Sequence, residues 1–204
     1  MAYQRSDKVK AKLAEKQKAI IKAAKEVFTE CGYQGASIKE VARRAGVATG
    51  TVYLYLRNKE ALFKAIVDEV YETVIQEIVQ ERLKVHTRQD KLKASMSASL
   101  STLGKHRDLA RLVMARSPEM APNLGGYLAE LTAKLVQLVE VDLAEAVEAG
   151  EIPAQDIHLS AVAFVGTFYH AFTDWLCQDP PLPLNHLVEA LAAYNLRGLG
   201  FAGK

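Results

Sequence analysis

The fold of this 204-residue chain is decided by residues 32–63, which read GYQGASIKEVARRAGVATGTVYLYLRNKEALF. Ser37 and Glu40 have the spacing of a capping box, in which the serine hydroxyl accepts from the Glu40 amide and the glutamate side chain reaches back to the Ser37 amide. This pattern predicts a helix that begins at Ser37 and stops at Gly46, where glycine allows a left-handed turn. A second short helix is predicted at 49–56, directly after that turn.

Two short helices joined through a glycine turn meet the requirements of a helix-turn-helix, whose second helix enters the major groove of DNA. Threonine hydroxyls on this helix can bond to base edges or phosphates, and Gly50 lets the backbone approach the duplex. Tyr53 and Lys59 are placed to hold phosphates, while Lys39 and Arg43 lie one turn apart and can flank the groove. The candidate DNA-binding residues are Ser37, Lys39, Arg43, Thr49, Gly50, Thr51, Tyr53, Tyr55 and Lys59.

Apolar residues recur at helical spacing on both sides of this motif. An amphipathic helix, basic on its outer face, is predicted at 13–31, and a long helix is predicted at 59–85. Further helices are predicted at 90–103, 107–115, 123–148, 157–177 and 185–197. Alternating apolar and polar runs typical of strands do not occur between turn residues. The sequence therefore predicts an all-α fold.

Charge is divided unevenly along the chain. Residues 1–64 contain 14 lysines and arginines against 6 acidic residues, a net charge of +8, whereas residues 65–204 have a net charge of −6. A basic module suits DNA because neutralised phosphates release their counterions. We therefore predict a three-helix helix-turn-helix domain at 1–57, with a basic N-terminal arm at 1–12. A long helix joins it to a helical ligand-binding and dimerisation domain at 58–204.

The stretch 32–63 resembles the TetR family of transcriptional regulators over its whole length. The resemblance rests on small residues at fixed positions, on the glycine and tyrosines of the second helix and on the polar start of the next one: Ala36-Ser37, Ile38, Val41-Ala42, Ala45-Gly46-Val47, Gly50-Thr51, Tyr53, Tyr55, Asn58-Lys59-Glu60 and Leu62. Leu56 departs from the family, which usually has phenylalanine there, and this costs core volume without touching the DNA-facing side.

The resemblance implies that the second domain forms a homodimer through long helices and encloses an effector pocket. The helices predicted at 123–148 and 157–177 have apolar residues on more than one side, which a single core-facing stripe does not need. The predicted dimer-interface residues are Leu131, Leu135, Leu138, Val162, Val165 and Gly166. Aromatic residues and two arginines suggest an apolar pocket with a cationic mouth. The predicted pocket residues are Val70, Val74, Leu103, Arg107, Arg111, Met114, Tyr127, Phe168, Tyr169, Phe172 and Trp175.

Together these features predict a ligand-responsive transcription regulator that is not an enzyme. It is expected to be a repressor that binds a palindromic, double-stranded DNA operator as a homodimer. A small apolar effector, acyl-CoA-like or of the multidrug type, is expected to release it from the operator. Two alternatives remain open: a non-specific, nucleoid-type DNA-binding protein, and an all-α enzyme or lipid carrier.

Sequence motifs for catalysis, cofactors and metals are missing or incomplete. Cys31 and Cys177 lie far apart without zinc-ligand spacing, and the histidines form no HExxH pair. The run Gly198-x-Gly200-x-x-Gly203 fits the dinucleotide fingerprint literally, but no predicted strand precedes it. The N-terminus lacks the apolar core of a secretory leader, and apolar stretches are too short to span a membrane. We therefore expect a cytoplasmic protein without cofactor, metal or membrane partner.

Overall fold

The structure is a computed structural model that describes residues 2–114, 122–179 and 181–201. These residues form nine α-helices, which confirms the all-α prediction. The helices are α1 Ala2–Gly35, α2 Ile38–Arg44, α3 Thr49–Tyr55, α4 Lys59–Arg82, α5 Arg88–Gly104, α6 Arg107–Met114, α7 Pro122–Glu148, α8 Ile157–Cys177 and α9 Leu184–Leu199. Apart from the start of α1, the predicted ends agree with these bounds to within a few residues. Position 115, the predicted end of α6, lies outside the described residues.

The first helix is longer than predicted. It begins at Ala2, so the segment predicted as a basic arm is helical from its second residue onward. Helical geometry is interrupted at Gly32, whose φ of 67° lies in the left-handed region that glycine adopts without strain. The core face of α1 has helical i, i+4, i+7 and i+8 spacing. Its fully buried residues are Ile20, Ala24, Val27 and Phe28.

The first compact unit contains the described residues up to Glu69. Its centre includes an aromatic cluster in which the ring centroid of Phe63 on α4 lies 5.4 Å from that of Phe28 and 5.3 Å from that of Tyr33. Tilted and edge-to-face pairs of this kind contribute about 0.5–1.5 kcal/mol each beyond simple burial. The beginning of α4 therefore packs as part of the first unit. The predicted boundary after residue 57, between a DNA-binding and a ligand-binding domain, stays a prediction.

The second compact unit contains residues 70–114 and 125–201. Helices α5 to α9 contribute to its core, whose fully buried large side chains include Leu92, Leu100, Leu143, Phe172 and Leu176. At the start of α8 the Asp156 carboxylate accepts from the Leu159 amide at 2.9 Å, and this N-cap fixes where the helix begins. Among the described residues, no helix is long and apolar enough to cross a membrane.

A buried ion pair joins α4 to α7 inside this unit. Two nitrogens of the Arg82 guanidinium donate to the two carboxylate oxygens of Asp142 at 2.5 and 2.7 Å. Arg82 also donates to the hydroxyl of Ser95 on α5 at 3.2 Å. The side chain of Asp142 is only 3% exposed, so its charge depends on this partner for solvation. The pair therefore ties three helices together.

We expect Asp142→Asn to destabilise the second unit by about 3 kcal/mol, because the Arg82 charge loses its buried partner. Urea unfolding, followed by the fluorescence of Trp175, the one tryptophan of the chain, measures this loss. The matched control is Glu151→Gln, which removes a solvent-exposed partner of Arg88 and should cost less than about 1 kcal/mol. Equal losses in the two variants would contradict the role assigned to the buried pair.

Candidate nucleic-acid interface

The start of α2 forms half of the predicted capping box. Ser37 has extended backbone angles, and its hydroxyl accepts from the Glu40 amide at 3.2 Å. The Glu40 carboxylate does not make the predicted return bond; it accepts from Arg43 at 2.8 and 2.7 Å and from Arg44 at 2.9 Å. Two guanidinium groups compete successfully with one neutral amide because charge-assisted bonds are roughly twice as strong. That part of the prediction is therefore wrong.

The same ion-pair network fastens α2 to α1. Arg44 donates to both carboxylate oxygens of Glu30 at 2.6 and 2.5 Å while it also donates to Glu40. Hydrogen bonds from Arg43 and Arg44 lower the pKa of the Glu40 carboxyl to about 2, and the bond from Arg44 lowers the pKa of Glu30. Both carboxylates are consequently ionised at neutral pH.

An open groove between α2 and α3 brings predicted DNA-binding residues together. Its lining consists of Ser37, Lys39, Glu40, Ala42, Arg43, Val47, Ala48 and Thr49. Four predicted residues, Ser37, Lys39, Arg43 and Thr49, therefore share one surface. Lys39 and Arg43 are exposed, as a contact to phosphate requires. The carboxylate of Glu40 lies in the same groove and holds the Arg43 guanidinium.

The seven-residue helix α3 buries Val52 and turns most of its other side chains outward. The predicted residues Thr49, Gly50 and Tyr53 are exposed, whereas Thr51 and Tyr55 are half-buried. Sequence reasoning missed Leu54, whose side chain is 85% exposed on this helix. Its position could have identified it, because it lies two residues after the inward-facing Val52 and one turn after Gly50.

Lys59 lies where the end of α1 meets the start of α4. Its Nζ donates to the backbone carbonyl of Gln34 at 3.1 Å and lies 4.8 Å from the centroid of the Tyr33 ring. The neighbouring Asn58 accepts from the Ala61 amide at 2.7 Å and caps α4. Lys59 thus has a structural role in the first unit, and its predicted contact to phosphate stays a prediction.

The second unit contains a partly open cavity of about 40 Å³. Its walls come from α4, α5, α7 and α8 and are almost entirely apolar: Ile78, Ser95, Met96, Ser99, Leu135, Leu138, Val139, Phe164, Val165 and Phe168. The hydroxyls of Ser95 and Ser99 donate to backbone carbonyls one turn earlier, at 2.8 Å in both cases. Among the predicted pocket residues, Phe168 lines this cavity.

Three other predicted pocket aromatics, Tyr169, Phe172 and Trp175, belong to the packed core of the second unit. Phe172 and Trp175 are buried with ring centroids 5.4 Å apart, and Phe168 stacks on Phe172 at 6.1 Å. The hydroxyl of Tyr169 donates to the carbonyl oxygen of Met114 at 2.7 Å. The predicted residues Val70, Val74, Leu103 and Tyr127 are buried or half-buried outside the lining of the cavity.

The two predicted pocket arginines bind the C-terminal end of α8. Arg107 donates to the carbonyl oxygens of Leu176, at 3.1 Å, and of Gln178, and Arg111 also donates to the Leu176 carbonyl. The guanidinium carbon of Arg107 lies 5.2 Å from the centroid of the Trp175 ring. Cations at this end of a helix compensate the unpaired carbonyls and the negative end of the helix dipole. Their structural role is therefore to cap α8.

The predicted dimer-interface residues divide into two groups. Leu131 and Val165 are buried within the single chain, and Leu135, Leu138 and Val165 line the cavity. Val162 is 42% exposed, and Gly166 follows one turn later on the same face of α8. These two residues are available to a second copy of the chain.

Comparison with known proteins identifies the helix-turn-helix. Residues 20–66 match the family of bacterial regulatory proteins called the tetR family. The chain belongs to the TetR family. The matched residues include the whole of α2 and α3, so the resemblance predicted from 32–63 is confirmed. Members of this family are transcription regulators and not enzymes, as predicted.

Similarity to relatives of this TetR-family chain extends over nearly its full length. The fatty acid metabolism regulator protein of Bacillus subtilis is 28% identical over 181 residues, which cover 88% of this chain and 93% of that protein. The FadR regulator of Bacillus subtilis, solved in complex with stearoyl-CoA, has a TM-score of 0.81 and 27% identity over 89% of this chain and 98% of its own. The fatty acid degradation regulator FadR of Bacillus halodurans also has a TM-score of 0.81, with 27% identity, and covers 90% of this chain and 99% of its own.

We expect the stability of the first unit to fall as the pH drops from about 4.5 towards 2, because the lowered pKa of Glu40 makes its ionised form part of the folded state. Above pH 4.5 this contribution is fully present. The variant Glu40→Gln removes it, so the variant should be less stable than the wild type at pH 7 and should lose less stability on acidification. Thermal melts followed by circular dichroism at a series of pH values measure both effects.

The control is Glu26→Gln, which changes an exposed glutamate on α1 that lies outside the network around Glu40. Its melting curves should follow those of the wild type at every pH. Identical acid sensitivity in Glu40→Gln and the wild type would show that the network does not stabilise the unit.

Proposed function

We propose that this chain is a homodimeric transcription regulator, a repressor that leaves its operator when a long-chain fatty acyl-CoA binds to the second unit. The observation that carries the proposal is the combination of an exposed recognition helix with nearly full-length similarity to a regulator solved with stearoyl-CoA. A protein of this kind acts where the chromosome lies, and we therefore place it in the cytoplasm.

The DNA-binding role rests on the surface of the first unit. Lys39 and Arg43 supply positive charge beside the groove, and α3 presents Thr49, Gly50 and Tyr53 to solvent. Contacts to phosphate position a protein on the duplex, whereas contacts to base edges select the sequence. One short helix reads few base pairs, so useful selectivity requires two copies whose recognition helices lie about 34–36 Å apart, one turn of DNA.

The effector role rests on the apolar interior of the second unit. Pockets for small ligands usually have volumes of about 300–1,000 Å³, whereas the cavity described above has about 40 Å³. A long acyl chain therefore requires the walls formed by α5, α7 and α8 to separate. An effector that binds the expanded conformation more tightly shifts the population towards it, and it weakens operator binding by the difference in its affinity for the two states.

The proposal predicts that palmitoyl-CoA lowers the affinity of the full chain for an operator selected from random DNA, whereas CoA without an acyl chain does not. Coupling of the usual size corresponds to a loss of about 5- to 150-fold in affinity. Fluorescence anisotropy of the labelled duplex, with and without each compound, measures this loss. An operator affinity that palmitoyl-CoA leaves unchanged would contradict the effector, and equal affinity for all sequences would favour the nucleoid-type alternative.

A matched pair of variants tests whether the cavity is the effector site. Ser99→Leu adds bulk to the cavity wall, so it should bind the operator normally and resist release by palmitoyl-CoA. Ser97→Leu makes the same change on the same helix outside the cavity lining, and it should respond like the wild type. Equal responses in the two variants would place the effector elsewhere.

The dimer interface yields a separate prediction. A Cβ added at Gly166 meets nothing within 4 Å in the single chain, so the backbone there leaves space for the start of a side chain. Gly166→Asp should nevertheless convert dimers to monomers and weaken operator binding at least tenfold, because its charge is buried against a second copy. Analytical ultracentrifugation at micromolar concentration measures the assembly.

The control for this variant is Gly126→Asp on α7, another helical glycine with open space around the added atom. It should remain dimeric. If Gly166→Asp also remains dimeric, Gly166 lies outside the interface, and if the wild type is a monomer that still selects an operator, the proposed assembly is wrong.

A further inference from the structure

Among residues 11–114, 124–179 and 181–201, the most exposed large apolar side chain is that of Leu54, at 85%. Single exposed leucines are common on protein surfaces and need no explanation by themselves. Leu54 differs because it lies on the recognition helix α3, next to the exposed Tyr53. The exposure of a leucine at this position therefore needs an explanation.

Helical geometry places Leu54 at the outermost point of α3. Successive residues are rotated by about 100°, so Leu54 and Gly50 both lie about 160° from Val52, the residue that α3 buries. Leu54 lies one helical turn after Gly50, on the same face of α3. Gly50 has no side chain, and no heavy atom outside its own helix lies within 4 Å of a Cβ added there. The helix thus presents one apolar side chain beside a bare stretch of backbone.

The chemistry of the major groove limits what such a side chain can contact favourably. The base edges offer hydrogen-bond donors and acceptors that a leucine cannot satisfy, and the C5-methyl group of thymine is the apolar feature among them. A leucine that covers an adenine, guanine or cytosine edge removes water from polar groups without replacing their hydrogen bonds. Leu54 therefore discriminates by attraction to thymine and by a desolvation cost at the other bases.

We propose that Leu54 is a specificity-determining residue that reads thymine methyl groups in the operator, an inference that rests on the DNA-binding function proposed above. Thr49 and Tyr53, which lie on one side of Leu54 around the helix axis, then supply polar contacts beside this apolar contact. Because the protein is a dimer, each half-site contributes one such contact, and the thymines concerned occupy symmetric positions.

The test uses a duplex of about 30 base pairs, long enough for two half-sites, selected from a random library by the full wild-type chain. Each symmetric pair of thymines is then replaced by deoxyuridine, which removes the methyl group and leaves every hydrogen-bonding group in place. Binding of the wild type and of Leu54→Ala to each duplex is measured by fluorescence anisotropy. Alanine is a strong helix former, so this variant keeps α3 intact, and circular dichroism confirms that.

We expect one symmetric pair at which deoxyuridine weakens wild-type binding by about fourfold per methyl group, or about fifteenfold for the pair. Leu54→Ala should bind the unmodified duplex more weakly by a similar factor and should lose nothing further on that substitution. Leu83→Ala, which truncates another leucine that is 72% exposed, should show the wild-type response throughout.

Two results overturn the assignment in distinguishable ways. If deoxyuridine weakens the wild type and Leu54→Ala equally at every position, Leu54 does not read thymine, and the proposed DNA-binding function stands. If no sequence is enriched from the library, the proposed function fails and the role of Leu54 fails with it.

Discussion

A helix of seven residues is not stable in water by itself, so α3 depends on the burial of its one inward side chain, Val52. That burial fixes the rotation of α3 about its axis. Once Val52 points inward, Gly50 and Leu54 must point outward, with Tyr53 beside them. Val52 itself is fully buried within the first unit. The composition of the exposed face of α3 is thus a consequence of one packed valine.

Electrostatics add a second constraint on the same surface. The first part of the chain is strongly basic, yet Arg43 donates to the Glu40 carboxylate. Arg44 donates to the carboxylates of both Glu40 and Glu30. A phosphate that approaches Arg43 must therefore compete with a carboxylate already in contact with it. The network keeps α2 attached to α1, and it also reduces the positive charge that any DNA sequence would meet. The same side chains therefore stabilise the motif and limit non-specific binding to DNA.

The fold could be predicted from the sequence because the helices are amphipathic and are bounded by capping and turn residues. Helix α8, for example, has the predicted bounds, since Asp156 caps its start. The site could be read only in part. A helical period shows which face is buried, but it does not show what lies opposite. Leu135 and Leu138 line a cavity of the second unit, and their contact with a second chain stays a prediction. Likewise, a pair of arginines predicted beside a pocket binds the end of α8, because carbonyl groups at a helix terminus leave no trace in residue identity.

In the proposed mechanism, the small cavity also limits how quickly the protein responds to its effector. A ligand that fits only after helices separate binds no faster than the unit opens, because association is slower when it requires a conformational change. Departure is limited in the same way, because the walls must part again before the chain can leave. Brief fluctuations in ligand concentration are therefore averaged over the lifetime of the closed state. In the proposed mechanism, the close packing around Phe164 and Phe168 makes the protein respond to sustained changes in ligand concentration and not to brief ones.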